Sequence, residues 1–329
     1  MESWRSELTG SFTDAAVLRR HLDLPATNVT TDYPLLVPLP FVRRMQCGNP
    51  ADPLLLQVLP MPEELERVSG FSADPLNESA AESAASGILV KYPHRALVLA
   101  SPVCGIHCRF CFRRNTLPQK DRGFCNSFRL RFVTDDIDEI ILSGGDPLML
   151  SDEELGGLCR QIIKMPHIKR LRIHSRLPVV LPKRITTQLN KVLDLPIQVY
   201  LVLHVNHPNE LDDELAQRLR LLRSPVLLSQ SVLLRRINDD ADTLEQLFRR
   251  LTDLGIVPYY LHQLDRVQGA AHFEVTPELG CRLMSELRSR LSGYAVPKYV
   301  REVPGQTCKE NVEVAAGKGN VKRSIPQNN

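Results

Sequence analysis

The sequence predicts an α/β fold: a parallel sheet of right-handed βα units, wound into a complete or partial barrel or left as an open doubly wound sheet. Two observations carry this. From residue 87 onward, short apolar runs alternate with longer stretches of helical period, the pattern of strands joined by crossover helices. Helix start and stop signals also stand where that alternation needs them. Strands are expected at residues 96–100, 139–142, 171–174, 198–204, 226–230 and 257–261, each a short apolar run. Helices are expected between and after them at residues 152–164, 183–193, 212–223, 240–254 and 277–291. Ser151 precedes Asp152, Glu153 and Glu154, an N-cap followed by acids at the positive end of the helix dipole. Gly255 stops the fourth helix. In a barrel or an open sheet alike, the chemistry belongs at the C-terminal ends of the strands.

Residues 1–85 read differently, with turn signals at Gly48-Asn49-Pro50, Asp52-Pro53, Pro60-Met61-Pro62 and Asp74-Pro75. A mostly helical N-terminal region is expected there, packed on a main body of residues 86–312. The polar, basic residues 313–329 are expected to form a flexible tail. A chain of 329 residues with 43% hydrophobic side chains has ample material for a core. Its 41 Lys and Arg against 38 Asp and Glu leave a formal charge of +3, so no electrostatic footprint for nucleic acid exists. The longest apolar stretches fall far short of the ~20 residues that a membrane span needs. The N-terminus lacks the basic, apolar and small-residue succession of a secretory signal. A cytoplasmic protein without a membrane or nucleic-acid partner is expected.

Cysteines stand at Cys47, Cys104, Cys108, Cys111, Cys125, Cys159, Cys281 and Cys308. Three crowd one loop after the first expected strand as Cys-x3-Cys-x2-Cys, unlike a disulfide framework. Three thiolates on one short loop can wrap three irons of a [4Fe-4S] cube and leave the fourth iron open to a substrate or cofactor. A zinc site is the rival reading. It usually takes four ligands as two separated pairs, and no second Cys-x2-Cys pair exists. His107 and Cys125 are the remaining candidates for a fourth ligand.

The cysteine spacing at the end of the first barrel strand resembles the radical S-adenosylmethionine enzymes. There the open iron chelates the amino and carboxylate groups of S-adenosylmethionine. Ser143-Gly144-Gly145-Asp146, at the end of the second strand, is similar to the Gly-Gly-Glu motif of those enzymes, where glycine lets the backbone come close. Further matches narrow the resemblance to the lysine 2,3-aminomutase family, and within it to the short branch that makes β-lysine for modifying translation elongation factor P. They include Phe41-Val42-Arg43-Arg44-Met45, Cys108-Arg109-Phe110-Cys111-Phe112-Arg113-Arg114, Leu171-Arg172-Ile173-His174-Ser175-Arg176, His204-Val205-Asn206-His207-Pro208 and Gln230-Ser231-Val232-Leu233-Leu234. The resemblance runs from about residue 35 to about residue 310 and implies a partial (β/α)6 TIM-like barrel with an N-terminal extension.

It also implies a second cofactor, pyridoxal 5′-phosphate. Lys309 matches the lysine that forms an imine with it, since only an amine can exchange with the substrate's amine. The chain has Cys308-Lys309 where the family usually has Ser-Lys. Lys91 and Arg95 match phosphate contacts. Arg113 matches the group that grips the substrate carboxylate, and Asp265 with Glu302 the pair that holds a distant ammonium. Ser143, Gly144, Gly145, Asp146, His204 and Gln230 are expected around S-adenosylmethionine, with His262 nearby. The implied reaction converts (S)-α-lysine to (R)-β-lysine by migration of the amino group from C2 to C3.

The implied partners are lysine, an electron donor such as a flavodoxin or ferredoxin, and a functional link to the elongation factor P ligase, with a homo-oligomer open. Residues 115–131 and 310–329 depart from the family pattern. The rival functions are a radical S-adenosylmethionine enzyme for another amino acid, a non-catalytic iron–sulfur or zinc protein, and a degenerate member that binds without turnover.

Overall fold

The computed structural model describes residues 3–78, 87–116, 130 and 133–315. Its centre is one nine-stranded sheet whose strands follow in sequence order: β1 (Ile88–Tyr92), β2 (Arg95–Ser101), β3 (Glu139–Gly144), β4 (Arg170–Ser175), β5 (Gln198–His204), β6 (Val226–Val232), β7 (Val257–His262), β8 (Lys298–Arg301) and β9 (Glu310–Asn311). Strands β2 to β8 run parallel. At the edges β1 lies antiparallel to β2, and β9 antiparallel to β8. No ladder joins β1 to β9, so the sheet is a partial barrel that does not close.

All six expected strands occur, and β8 adds a seventh parallel one. Its four residues carry little periodic signal, and packing defines it instead. Tyr299 is fully buried, and its hydroxyl donates to Gln263 Oε1. A Cβ on Gly280 would come within 2.6 Å of the Tyr299 ring, so only glycine lets the preceding helix lie this close.

The linking helices are α5 (Asp152–Ile162), α6 (Leu177–Val180), α7 (Thr187–Leu193), α8 (Asp213–Leu219), α9 (Ala241–Asp253) and α10 (Pro277–Arg290), following the N-terminal α1 to α4 given below. The cap at Ser151 is reciprocal: Glu154 N donates to Ser151 Oγ at 3.1 Å and Ser151 N to Glu154 Oε2 at 2.8 Å. α7 starts later than the sequence suggests. Pro182–Arg184 forms a 3-10 turn, and Thr186 caps the helix by accepting from Leu189 N at 2.9 Å. Gly255, with φ of 75°, ends the segment after α9. The expected departures in residues 115–131 and 310–329 and the tail of 313–329 lie mostly outside the described residues, as does Cys125.

The N-terminal region is less helical than expected. It holds α1 (Ser3–Thr9), α2 (Ala15–His21), α3 (Leu39–Val42), α4 (Pro53–Leu56) and a 3-10 turn at Pro62–Leu65. Pro25, Pro34, Pro38, Pro40, Pro50 and Pro60 interrupt any longer run. Packing holds the region in place, because Trp4, Leu18, Phe41, Leu54 and Leu55 are fully buried in the same core cluster as the sheet. No described helix is long and apolar enough to cross a membrane.

This region also grips the cysteine loop. His107 N donates to Leu36 O at 2.9 Å and Arg109 N to Gln57 O at 2.8 Å. Glu64 accepts from Arg109 Nε at 2.9 Å and from Arg114 Nη2 at 2.6 Å. The side chains of Glu64, Arg109 and Arg114 are 1%, 0% and 5% exposed, so each charge depends on the others for solvation. Glu64→Gln is therefore expected to cost about 3–5 kcal/mol of stability, read by urea denaturation. A loss below about 1 kcal/mol, the scale of an exposed pair, would show that the loop is anchored elsewhere.

Candidate active site

The C-terminal ends of the parallel strands share one edge, where the cysteine loop, Asp146, Asp265 and Glu302 lie, whereas Lys91 and Arg95 stand by the start of β2. The cysteine loop leaves β2 and is held against the end of β3 by two backbone bonds, Gly145 N to Ser101 O and Asp146 N to Val103 O, both 2.8 Å. A Cβ on Gly145 would lie 2.7 Å from Val103 C and 2.8 Å from Val103 N. Gly144 has φ of 109°, and a Cβ there would meet Ser101 O at 3.0 Å. The contact that requires the glycine pair is thus with the chain's own cysteine loop.

Asp146 completes that joint. Its carboxylate accepts from Leu148 N (3.0 Å), Ser175 Oγ (2.6 Å), Arg176 N (2.8 Å) and Leu177 N (2.8 Å). Burial still pushes its pKa up against those four bonds. The carboxylate is filled by protein donors, so what it holds is the end of β4 and the start of α6.

Cys104, Cys108 and Cys111 are free thiols. Burial pushes each pKa up, Cys111 to about 11. Thiols in such surroundings need a positive charge to ionise, and Arg176 Nη1 donates to Cys108 Sγ at 2.7 Å. Among the described residues, no three His, Cys, Asp or Glu side chains gather closely enough for one metal ion. A four-iron cube makes no such demand, since each thiolate takes its own iron.

Across from this loop lies a charged cluster. Lys309, just before β9, pairs with Glu302, just after β8. Glu302 Oε1 also accepts from Tyr92 Oη at 2.5 Å and lies 3.8 Å from Lys91 Nζ. Burial opposes ionisation of Glu302, but Lys309, Tyr92 and Lys91 hold its pKa below the usual range. Asp265, after β7, accepts from Val267 N through its carbonyl at 2.7 Å, but its carboxylate has no hydrogen-bond partner among the described residues. Its pKa rises to about 7, mainly through burial and partly through Glu302, against the pull of Lys309. Arg95, at the start of β2, stacks its guanidinium 5.0 Å over Tyr92.

Arg113 is where the sequence expects a carboxylate clamp, and its clamp is taken. Glu78 accepts from Arg113 Nε at 2.7 Å and from Nη2 at 2.9 Å, while Nη1 reaches Ser143 Oγ and Gly144 O at 3.3 and 3.2 Å. Lys91 Nζ adds an ion pair to Glu78 at 2.8 Å. Burial disfavours the Glu78 carboxylate, yet Arg113 and Lys91 together hold its pKa at about 2. Sequence reasoning missed Glu78, which carries no motif.

It also missed His174. This residue stands two positions beyond Arg172 on β4, so the two share a face of the strand. Its Nε2 is buried without a partner. Burial, then the charges of Arg172 and Lys309, push its pKa well below the usual value, with Gln230 as a hydrogen-bonding neighbour. His262 is lowered to about 3 by burial and by Lys309. His204 lies on the cysteine side, 3.1 Å from Asn206 Oδ1 and 5.6 Å between ring centres from Phe110. Neutral imidazoles therefore line the space between the thiols and Lys309.

Comparison with known proteins decides the family. An L-lysine 2,3-aminomutase from Escherichia coli is 44% identical over 327 residues, covering 95% of each chain. The chain belongs to the L-lysine 2,3-aminomutase family. The Haemophilus influenzae L-lysine 2,3-aminomutase is 41% identical over 321 residues, covering 94% of this chain and 95% of that one. No family model matches. Among solved structures, a radical SAM methyltransferase from Sphaerobacter thermophilus aligns with a TM-score of 0.45 at 17% identity, over 65% of this chain and 68% of that one.

The unpaired Asp265 makes a pH prediction for this aminomutase-family chain. Its folded pKa of about 7 lies above the usual unfolded value near 3.9, so ionising it opposes folding as pH rises between those values. Asp265→Asn should stabilise the cofactor-free protein at pH 8 by on the order of 2 kcal/mol and by little at pH 4. Denaturation curves at the two pH values check this, and an equal effect at both would place Asp265 in a solvated setting.

Proposed function

We propose that the protein converts (S)-α-lysine to (R)-β-lysine, using a [4Fe-4S] cluster on Cys104, Cys108 and Cys111, S-adenosylmethionine at the open iron, and pyridoxal 5′-phosphate on Lys309. The observation that carries the reading is one charged cluster at the open edge of the sheet, in which Lys309, Glu302, Asp265, Lys91 and, through Glu78, Arg113 meet, Arg113 in turn acting on the half-buried thiols of Cys104 and Cys111. A substrate with a carboxylate and a distant ammonium needs a cationic and an anionic end, and this edge has both.

The donors fit the groups. Three thiols on one loop suit a cluster with one open iron. An amine that shares Glu302 with Lys91, with Arg95 behind Tyr92, suits a phosphorylated aldehyde. When bound, the two cofactor systems supply a hydrogen-abstracting radical and an electron sink.

The chain's own residues do the rest. Lys309 must leave Glu302 and lose its proton before its nitrogen can act. Glu302 then keeps Tyr92 and the more distant Lys91 but loses its nearest cation, and the ε-ammonium of lysine replaces the charge it has lost. Asp265 stands ready as the second acid, and a cation beside it draws its pKa down from about 7. A substrate carboxylate takes the place of Glu78 on Arg113. His174 and His262, kept neutral by burial and by Lys309, add no competing positive charge.

The product is proposed to serve as the β-lysyl donor for translation elongation factor P through that factor's ligase. Electrons are proposed to come from a flavodoxin or ferredoxin.

The test is anaerobic reconstitution with iron and sulfide, then incubation of the reduced protein with S-adenosylmethionine, pyridoxal phosphate and lysine, with β-lysine detected by chromatography. β-Lysine is expected from the parent protein and from neither Cys108→Ala nor Lys309→Ala. Cleavage of S-adenosylmethionine without β-lysine would redirect the reading to another amino acid, and failure to bind any cluster would favour zinc or a scaffold. Glu78→Gln is expected to lower the KM for lysine, because it weakens the internal occupant of Arg113. An unchanged or higher KM would make Glu78 a fixed part of the site.

A further inference from the structure

Arg176 has no role in the reading so far, although its side chain is only 6% exposed and it touches one of the three thiols. It leaves the end of β4 with its backbone N bound to Asp146 and its guanidinium turned to the cysteine loop. Nη1 donates to Cys108 Sγ at 2.7 Å, and Nη2 donates to Gln57 Oε1 at 2.6 Å and to Glu210 Oε2 at 3.3 Å. Nε is buried and has no acceptor. The group also lies 5.6 Å from the ring centre of Phe41 and 5.5 Å from that of Phe110, so apolar walls shield it from water.

A polar network holds it there. Glu210, itself fully buried, accepts from Gln57 Nε2 at 3.0 Å and from the backbone N of Asn206 and of His207, both at 3.1 Å. Asn206 Nδ2 donates to Gln57 Oε1 at 2.9 Å. Every partner is on a different element from Cys108, so the charge is placed by the fold and not by the loop.

We propose that Arg176 is a positioning residue that raises the reduction potential of an iron–sulfur cluster held at Cys108, through its charged hydrogen bond to that sulfur. The inference rests on the cluster reading above and deepens it. Reduction adds one negative charge to the cluster, and hydrogen bonds to the sulfurs and nearby charge set its cost. A guanidinium on a ligand sulfur stabilises the reduced form more than the oxidised form. In these dry surroundings the effect is weakly screened. Glu210 opposes Arg176 from the other side, so the pair sets the field at Cys108 by difference.

The experiment is a dithionite titration with mediators of the anaerobically reconstituted protein, with the reduced cluster followed by electron paramagnetic resonance. Arg176→Gln should lower the ratio of reduced to oxidised cluster at fixed potential about tenfold, equivalent to about 59 mV for one electron. Arg176→Lys, which keeps the charge without the fork, should fall less, and it stands in if the Gln variant does not fold. Glu210→Gln should move the potential upward, because it removes the opposing charge. Opposite signs at Arg176 and Glu210 support the proposal. Unchanged potentials overturn it, as does a shift of all the variants in one direction, which is what general loosening would produce. A parent protein that takes up no cluster overturns the reading beneath, and the proposal with it.

Discussion

Two buried carboxylates hold the cysteine loop from opposite sides, and the rest of the site depends on them. Glu64 binds the guanidinium groups of Arg109, which follows Cys108, and of Arg114, three residues past Cys111. Asp146 gathers four donors from the ends of β3 and β4, while its own N–H holds Val103. Ionised groups so far from water are costly unless fully partnered. Here protein donors partner both, so the loop is held by the fold's own groups. The glycine pair then brings the loop close to β3, where a side chain on Gly145 would strike Val103.

Charge organises the remainder of the edge. Toward the thiols stand Arg176 and Glu210, and toward Lys309 stand Glu302, Asp265, Lys91, Arg113 and Glu78. Between them lie imidazoles whose protonation is suppressed by burial first and by neighbouring cations second. The result is a site where the mobile charges are an amine and a carboxylate, with neutral rings separating them from the sulfur side. Such separation suits chemistry in which one region handles an electron and another holds a doubly charged amino acid.

Much of this was legible in the sequence. The six expected strands have apolar runs long enough to register, and the Ser151 cap has its acids in place. The three cysteines mark a metal or redox loop by their spacing, which left zinc as the rival until the resemblance was weighed. Lys309, Glu302 and Asp265 became visible only through resemblance, since an isolated lysine or acid carries no local signature. β1, β8 and β9 escaped notice because two to five residues show too little periodicity and because β9 exists only by pairing with β8. Glu78, Arg176, Glu210 and His174 were unassigned for a related reason. Their significance lies in contacts across many residues of sequence, such as Arg176 on Cys108, and the region before residue 86 was read as mostly helical when its prolines leave only short helices, the longest of seven residues.

The open seam of the barrel has one consequence of its own. Strands β1 and β9 have no ladder between them, yet side chains bridge the gap: Tyr92 and Lys91 from β1 reach Glu302, which in turn binds Lys309 beside β9. The cylinder is thus fastened on one flank by a clasp of four polar side chains where every other flank is stitched by backbone. Parting a clasp breaks no strand pairing, so this is the cheapest line along which the wall can breathe. It is also the line that carries Lys309, so opening the seam and freeing that amine from Glu302 are one and the same event.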